Sequence, residues 1–377
     1  MDAQSARITA GELAIALSHY DIGEIVAVRR FRGGSRSSPK ILLETRAGEY
    51  LFKRRPAGAA SEPDKVAFTH EVMLHLGRNG FPVPRLIGTR SGNNSMLQVG
   101  PEVYEMFRYV RGRRFDRSVD DARASGWWLA RCHALLADLK PRFPAPHRSF
   151  HAHPKVAERL AEIPGRLGDP AVRPVCRALA DAYAHAAAQV ERSAPSASQQ
   201  AQIVHGDWHP GNLLYWPLGT APTIGTTDVP PVVDRVAAVF DFDSSRLGMP
   251  LHDLANGAMQ FAVSRHVGDL SGAAGANAAT GGGEWKIALE PTLFEAFFAG
   301  YHGGRGKGDL GGDFVRAIPW LMIEALIVEA AVPIAQTGRF GKLAAAPVLG
   351  VVQRAVEAMG TGPGADRLAA LAARPYH

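Results

Sequence analysis

The sequence predicts an α+β protein in which a small antiparallel β-sheet lobe precedes a larger, mostly helical lobe. The chain has 377 residues, more than one compact core usually organises. Short β-rich runs separated by turn residues occupy the first hundred residues, whereas apolar residues recur at helical spacing from about residue 119. The change in pattern places the lobe boundary at residue 108, which gives lobes of residues 1–108 and 109–377.

The first lobe is predicted from its strand and turn signals. Three β-rich runs cover residues 24–31, 41–45 and 50–54, with a turn at Gly33, Gly34 and Ser35 between the first two. A helix is expected over residues 63–78, because Ser61 can cap it and Pro63 suits its first turn. Extended chain follows over residues 81–88 and 95–110.

The second lobe is predicted from helical periodicity. The expected helices cover residues 119–139, 156–167, 172–192, 251–267, 285–301, 314–332 and 343–359. Strand-like runs at residues 202–204, 212–216 and 232–242 interrupt them. The glycine- and alanine-rich stretch 268–283 is expected to be a loop.

Composition excludes several classes of protein. A chain with 46% hydrophobic and 21% charged residues is not disordered throughout, and two cysteines cannot build a disulfide scaffold or a zinc module. The most apolar segment, residues 317–332, contains Glu324 and Glu329 and is too short to span a bilayer, so we expect no membrane and a cytoplasmic location. The net charge of +6 includes a basic stretch at residues 29–55, but aromatic residues are sparse there, so no nucleic-acid partner is expected.

Two motifs indicate the chemistry. Residues 205–212 read HGDWHPGN, and residues 239–243 read VFDFD. In phosphoryl transfer an Asp accepts the hydrogen bond of an attacking hydroxyl, and an Asn five residues later can hold a magnesium ion beside it. Asp207 and Asn212 have this spacing. Asp241, at the end of a predicted strand, supplies the carboxylate oxygen that magnesium prefers.

Together and in this order, the motifs resemble those of the aminoglycoside phosphotransferase family, which includes choline-kinase-like and homoserine-kinase-like enzymes. The family hallmark is HGDxHPGN followed by (I/V)xDFDxxxxGxPxxDLA, and this chain reads HGDWHPGN and VFDFDSSRLGMPLHDLA. Gly206 stands where protein kinases have Arg, and Asp243 where they have Gly. The resemblance implies a bilobal protein-kinase-like fold that binds ATP and Mg²⁺.

The resemblance also implies roles for individual residues. Asp207 is the expected catalytic base, and Asn212 and Asp241 are the expected metal ligands, with Asp243 as a secondary metal contact. Lys53 at a strand end is expected to contact the nucleotide phosphates, and Glu71 in the following helix is expected to hold Lys53 in place. The other residues expected to bind nucleotide are the turn residues Gly33, Gly34 and Ser35, and Glu105 and Phe107 at the hinge that meets adenine. His205, His133 and Asp253 are expected to be structural, and His209 to support the catalytic loop.

Three functions remain open from the sequence. The favoured one is an ATP- and Mg²⁺-dependent phosphotransferase that acts on a hydroxyl of a small molecule, because the long activation segment of protein kinases is absent. The alternatives are a Ser/Thr protein kinase of stress-response type and a nucleotide-binding pseudokinase scaffold. The acceptor and the oligomeric state are left open. A proline- and threonine-rich insert at residues 217–234 lengthens the segment between Asn212 and Asp241 and is expected to lie outside the site.

Overall fold

The computed structural model describes residues 7–31, 38–56, 58–194, 200–217, 235–266, 286–306 and 311–374. Within these residues an antiparallel sheet in the first third of the chain is followed by helices, which confirms the predicted α+β class. Three predicted features lie outside the described residues: the turn at Gly33, Gly34 and Ser35, the insert after Pro217, and the glycine-rich stretch 268–283.

The first third forms one five-stranded antiparallel sheet with strand order β1-β2-β3-β5-β4. The elements in chain order are α1 (Ala10–Leu17), β1 (Ile25–Phe31), β2 (Lys40–Thr45), β3 (Gly48–Arg54), α2 (Pro63–Arg78), β4 (Leu97–Val99) and β5 (Glu102–Arg108). Side chains alternate across a strand, so Phe52 is buried in the sheet's apolar core while Lys53 faces the opposite side. This alternation is what places Lys53 at the cleft.

Two features of this part differ from the prediction. Helix α1 was not expected; its start is fixed by a capping box in which Thr9 and Glu12 exchange backbone-to-side-chain hydrogen bonds. The extended run 95–110 is divided into β4 and β5, because Gly100 turns the chain with a positive φ of 58°.

The helical part contains α3 (Val119–Leu136), α4 (Lys155–Leu167), α5 (Arg173–Ser193), β6 (Gln202–Val204), β7 (Leu213–Tyr215), β8 (Val236–Val239), β9 (Arg246–Gly248), α6 (Pro250–Ala262), β10 (Val263–His266), β11 (Lys286–Leu289), α7 (Pro291–Arg305), α8 (Gly312–Thr337), β12 (Arg339–Phe340), β13 (Leu343–Ala344), α9 (Ala345–Gly360) and α10 (Gly362–Ala372). Helix α2 joins this part by packing, since its buried Val72 and Leu76 belong to the large apolar core of the helices. The sheet has a separate, smaller core.

Several predicted helices are shorter than expected. The predicted helix 251–267 ends at Ala262, and the predicted helix 285–301 starts only at Pro291. The intervening residues pair as the ribbon β10–β11, with Val263 opposite Leu289. Helix α9 starts at Ala345 because β13 pairs with β12, and α10 was not predicted at all. Helical periodicity alone does not reveal these long-range pairings.

Helices α3 and α7 cross at very short distance. A Cβ atom added at Gly126 would collide with the backbone carbonyl of Phe297, and one at Gly300 would collide with that of Arg123. Glycine at both positions therefore permits the backbones to touch. The crossing brings His133 of α3 and Tyr301 of α7 into contact.

Helix α8 is, within the described part of the chain, the one helix long and apolar enough to cross a membrane. Its most apolar 18-residue window is 72% buried inside the protein, against α5, α6, α9 and α10 among others. This is the position of a core helix, as the sequence predicts for residues 317–332.

Candidate active site

The catalytic loop, residues 205–212, connects β6 to β7. Strand β6 pairs with β9 and β7 with β8, so these two ribbons hold the loop beside the acidic segment at residues 240–245. A direct hydrogen bond of 3.0 Å from the Phe240 amide to the Asn212 carbonyl joins the two segments. Two motifs separated along the chain are thereby brought into one site.

Gly206 gives the loop its shape. Its φ is +81°, and a Cβ atom there would collide with the Ser244 carbonyl and with the Arg246 guanidinium. The Arg246 guanidinium instead donates a 2.7 Å hydrogen bond to the Gly206 carbonyl. A side chain at this position would strain the backbone and push the acidic segment away.

A series of buried hydrogen bonds supports the loop. The Gly206 amide donates to Asp253 Oδ1 at 3.0 Å, and Asp253 Oδ2 lies 3.3 Å from His133 Nε2. His133 Nδ1 in turn bonds the Tyr301 hydroxyl at 2.8 Å. Burial would raise the pKa of Asp253, but the hydrogen bond and the charge of His133 outweigh it and lower that pKa. Asp253 and His133, both expected to be structural, lie in this hydrogen-bonded support of the loop.

His205 is fully buried and holds the loop from the other side. Its Nδ1 lies 3.2 Å from the Asp207 amide, which donates to it, and its Nε2 lies 3.3 Å from the Phe240 carbonyl. Because Nδ1 accepts the Asp207 amide, the ring proton is on Nε2, where it faces the Phe240 carbonyl; burial lowers the pKa of His205. The residue connects both loops and does not reach the cleft.

Asp207 and Asn212 face each other across the loop. Asn212 Nδ2 donates to the Asp207 carbonyl at 3.0 Å and approaches Asp207 Oδ2 at 3.3 Å. The amide oxygen of Asn212 therefore points away from Asp207. Burial would raise the pKa of Asp207, but the hydrogen-bonding contact with His209 outweighs it and lowers that pKa, so the carboxylate is ionised at neutral pH.

Asp241 lines the cleft in the acidic segment, just after the end of β8. Its backbone is left-handed, with φ 68° and ψ 55°, a conformation that Asp tolerates better than most residues. Among the described residues none makes a hydrogen bond or ion pair with its side chain. Burial, together with the charges of Asp243 and Asp207, raises its pKa. A cation beside Asp241 would relieve this crowding of negative charge.

The acidic segment is also tied to the sheet through Asp243. Its Oδ2 lies 3.0 Å from Lys53 Nζ, and its Oδ1 lies 2.7 Å from Arg55 Nη2. Burial would raise the pKa of Asp243, but the two cations outweigh it and lower that pKa. Asp243, predicted as a secondary metal contact, is thus engaged by two cations, unlike Asp241.

Lys53, Arg55, Asp243 and Glu105 form one cluster of charged side chains. Glu105 is its second anion and is fully buried. Its carboxylate lies 3.5 Å from Lys53 Nζ and 2.7 Å from Arg55 Nε, and it shares a short hydrogen bond with His70 of α2. Burial would raise the pKa of Glu105, but Lys53, His70 and Arg55 lower it far below its usual range. In the same way, Glu105 and Asp243 raise the pKa of Lys53 against the effect of burial.

The predicted partnership of Lys53 with Glu71 is wrong. Glu71 accepts hydrogen bonds from the Arg142 amide at 2.8 Å and from Arg142 Nε at 3.2 Å. Adjacent helical residues point about 100° apart, and in α2 it is His70 that faces the cluster. Glu105 takes the place at Lys53 that the resemblance assigned to Glu71.

The predicted hinge must also be corrected. The backbone of Glu105 and Phe107 lies inside the sheet, in register with Lys53 and Leu51 of β3. Its hydrogen-bonding groups are therefore used by the ladder and are not open to an adenine ring. The Phe107 side chain does line the cleft, as do residues 109 and 110 just beyond the sheet.

Lys53, Asn212 and Asp241 line one cleft of 1080 Å³ between the sheet and the helices. Its other lining residues include Leu51, Arg55, Glu105, Phe107, Val110, Arg114, His209, Leu214, Phe240 and Asp243. Apolar and charged residues thus share one cleft, which suits a ligand with a flat apolar part and an anionic part. No cluster of three or more His, Cys, Asp or Glu able to hold a metal occurs among the described residues.

The fold and this cleft define a class, the two-lobed phosphotransferases of protein-kinase-like architecture. The model of the phosphotransferase enzyme family, APH, matches residues 27–221 of this chain. That span is more than half of the chain and includes Lys53, Asp207 and Asn212. The chain belongs to the phosphotransferase enzyme family, as the two motifs predict.

Two homoserine kinases are among the curated relatives that this chain matches. Homoserine kinase of Burkholderia mallei (strain SAVP1) is 28% identical over 148 residues, 32% of this chain and 43% of the relative. Homoserine kinase of Caulobacter sp. (strain K31) is 27% identical over 224 residues, 56% of this chain and 62% of the relative. The chain therefore matches less than two thirds of either relative's length.

Among solved structures, the microcompartment-associated aminopropanol kinase is similar with a TM-score of 0.64 at 15% identity, over 97% of this chain and 99% of that one. Amicoumacin kinase hAmiN in complex with AMP-PNP, Ca²⁺ and Ami is similar with a TM-score of 0.63 at 11% identity, over 95% and 96% of the two chains. At these identities the likeness concerns the fold alone.

Proposed function

We propose that this protein transfers the γ-phosphoryl group of Mg²⁺-bound ATP to a hydroxyl of a small molecule. The observation that carries the proposal is the joining of the two loops. Lys53, Asn212 and Asp241 line one cleft, and the base candidate Asp207 contacts Asn212 through its carbonyl and Oδ2, which supports a common site for the four residues. Each part that phosphoryl transfer requires is then supplied by this chain.

The chemistry of the donor set fits a magnesium ion. Mg²⁺ is bound through one or two carboxylate or amide oxygens together with phosphate oxygens and water. Asp241 offers an unpartnered carboxylate, and Asn212 offers its amide oxygen because its nitrogen is held by Asp207. When bound, the ion neutralises phosphate charge and orients the transferred group.

The other residues of the site have separate roles in base catalysis, phosphate binding and positioning. Asp207 is ionised and accepts the proton of the acceptor hydroxyl, and Lys53 faces the phosphates as a point charge. Glu105 and Arg55 keep Lys53 and Asp243 in place. The apolar side chains Leu51, Phe107 and Leu214 line the part of the cleft that suits adenine. Positioning and charge, not covalent catalysis, provide the rate enhancement.

A small acceptor is supported by the segment that follows the acidic loop. Only β9 separates residues 240–245 from α6, which begins at Pro250. A protein substrate of a protein kinase docks on a much longer segment at this point. The names of the curated relatives add an amino alcohol with a carboxylate, homoserine, as the first acceptor to test.

The proposal is tested by measuring ATP consumption in the presence of Mg²⁺ with a panel of acceptors. The panel contains homoserine, aminopropanol, aminoglycosides and a generic protein substrate. We expect phosphorylation of one of the small hydroxyl compounds. Phosphorylation of protein alone would support the protein kinase alternative, and tight binding of Mg-ATP without transfer to any acceptor would support the scaffold alternative.

The roles of Asp207 and Asp241 are separated by ligand-induced thermal stabilisation. A ligand that binds only the folded state adds about 2.7 kcal/mol at one hundred times its dissociation constant, a shift of several degrees for a chain of this size. Asp207→Asn should abolish turnover and still be stabilised by Mg-ATP, whereas Asp241→Asn should lose both. Equal stabilisation of the two variants, or full turnover by Asp207→Asn, would contradict the assignment.

A further inference from the structure

His209 lies between the backbone of the catalytic loop and the carboxylate of Asp207. The Gly211 amide donates a 2.9 Å hydrogen bond to His209 Nδ1. A nitrogen that accepts a hydrogen bond carries no proton, so the ring proton is on Nε2. A Cβ atom at Gly211 would come within 2.5 Å of His209 Cε1, so glycine at that position leaves room for the ring.

The protonated nitrogen of His209 faces Asp207. His209 Nε2 lies 3.5 Å from Asp207 Oδ2, slightly longer than an ordinary hydrogen bond. Such contacts in ligand-free active sites commonly shorten when substrate binds. Asn212 Nδ2 approaches the same oxygen at 3.3 Å. Two N–H groups therefore converge on Oδ2, while Oδ1 has no hydrogen-bond partner within the described part of the chain.

His209 is placed at the substrate side of the loop. Its side chain is 33% exposed and lines the cleft together with Asn212 and Asp241, whereas His205 on the same loop is fully buried. Support of the loop by itself requires only the Nδ1 contact with Gly211. The second contact, to Asp207, is not explained by that support.

We propose that His209 is a positioning residue for phosphoryl transfer: its Nε2–H fixes the rotamer of Asp207 so that Oδ1 receives the proton of the acceptor hydroxyl. The inference rests on the proposed function. In the step, the acceptor O–H bond breaks and its proton goes to Asp207 Oδ1, while the acceptor oxygen forms a bond to the γ-phosphorus and the bond to ADP breaks. His209 keeps its own proton throughout and donates to Oδ2.

Two substitutions separate the two contacts of His209. In His209→Asn, the short amide oxygen can still accept from the Gly211 amide, as in an Asx turn, but no donor reaches Asp207. In His209→Gln, the longer side chain places an amide N–H where Nε2 was and loses the Nδ1 contact. A residue that merely supports the loop would be replaced better by Asn, and a residue that positions Asp207 would be replaced better by Gln.

The experiment measures kcat and KM for both variants with the acceptor identified in the panel, or with water as acceptor through phosphate release. We expect His209→Asn to lower kcat by roughly 100-fold, the effect of a misplaced catalytic group. KM for ATP and the thermal stabilisation by Mg-ATP should stay close to wild type in both variants. His209→Gln should retain most of the wild-type kcat.

The outcomes distinguish this inference from the proposed function. An active wild type with equal losses in the two variants, or with the smaller loss in His209→Asn, would overturn the role of His209 alone. A parallel loss of Mg-ATP stabilisation in His209→Asn would do the same, because it would indicate a damaged loop. A wild-type protein that transfers phosphate neither to any acceptor nor to water would refute the proposed function, and this inference with it.

Discussion

Replacement of Glu105 by Gln should destabilise the protein strongly and impair its use of ATP. The carboxylate has no exposed surface and faces the cations Lys53 and Arg55 and the hydrogen-bonding His70. With Gln at this position, two buried cations would share the single carboxylate of Asp243. Removal of one partner from a buried ion pair typically costs about 3–5 kcal/mol. We expect a loss of free energy of unfolding in this range.

Glu71→Gln is the matched control, because it changes the same functional group on a neighbouring element. Glu71 is 14% exposed and its partner Arg142 is 82% exposed, and ion pairs with an exposed partner contribute about 0–1 kcal/mol. Gln at this position keeps an oxygen that can accept the Arg142 amide. The control variant should therefore unfold close to wild type and should use ATP normally. The resemblance to the family alone predicts the opposite ranking, with Glu71 as the partner of Lys53.

Urea unfolding and steady-state kinetics with varied ATP provide the readouts. Lys53→Met should add less damage in the Glu105→Gln background than in wild type, because the interaction between the two is already lost. Additive effects of Lys53→Met and Glu105→Gln, or a larger kinetic defect in Glu71→Gln than in Glu105→Gln, would refute the assignment of Glu105 to Lys53.

Two further predictions concern Gly206 of the loop and the buried His252. Gly206→Ala should cost about 1–2 kcal/mol of stability for the left-handed backbone and about 1–3 kcal/mol more for the collision with Ser244. Gly168→Ala is the control and should cost only the first amount, because Gly168 has φ +62° and open space around it. Equal losses of stability for the two variants in urea unfolding would contradict the collision. Burial, the neighbouring His151 and Arg246 lower the pKa of His252 from 6.5 to about 3, so below pH 6.5 the unfolded chain binds a proton that the folded protein does not. Between pH 7.5 and 5.5 this group should remove about 1.4 kcal/mol of stability. His252→Phe should show a correspondingly smaller loss, and an unchanged pH dependence in that variant would speak against it.

The motifs were predictable because each is contiguous in the chain. The spacing of Asp207 and Asn212 is local, and the predicted strand-like runs 202–204, 212–216 and 232–242 contain β6, β7 and β8. The pairing of β6 with β9, which lies outside those runs, was not predicted. The supports of the loop were predictable in kind as well. Asp253, expected to be structural, is buried and accepts a hydrogen bond from the Gly206 amide.

The partner of Lys53 was not predictable from spacing, because it depends on strand register. Lys53 and Glu105 are direct cross-strand neighbours of β3 and β5, and neighbours of this kind lie on the same face of a sheet. A signal was present: a charged Glu105 inside the apolar run VYEMF, and Arg55 two residues after Lys53. Period-2 alternation puts Lys53 and Arg55 on one side of the strand, where a buried anion has to compensate them.

Asp243 forms ion pairs with both Lys53 and Arg55, so the cleft contains its own counter-ion for these cations. Lys53 and Arg55, two of the cations that line the cleft, are paired with Asp243 of the acidic segment as well as with Glu105. Under the proposed function, binding of a nucleotide would exchange one anion for another at these cations. After transfer, Asp243 would compete with the phosphates of ADP for both cations. The expected consequence is a lower affinity for nucleotide and a faster release of ADP.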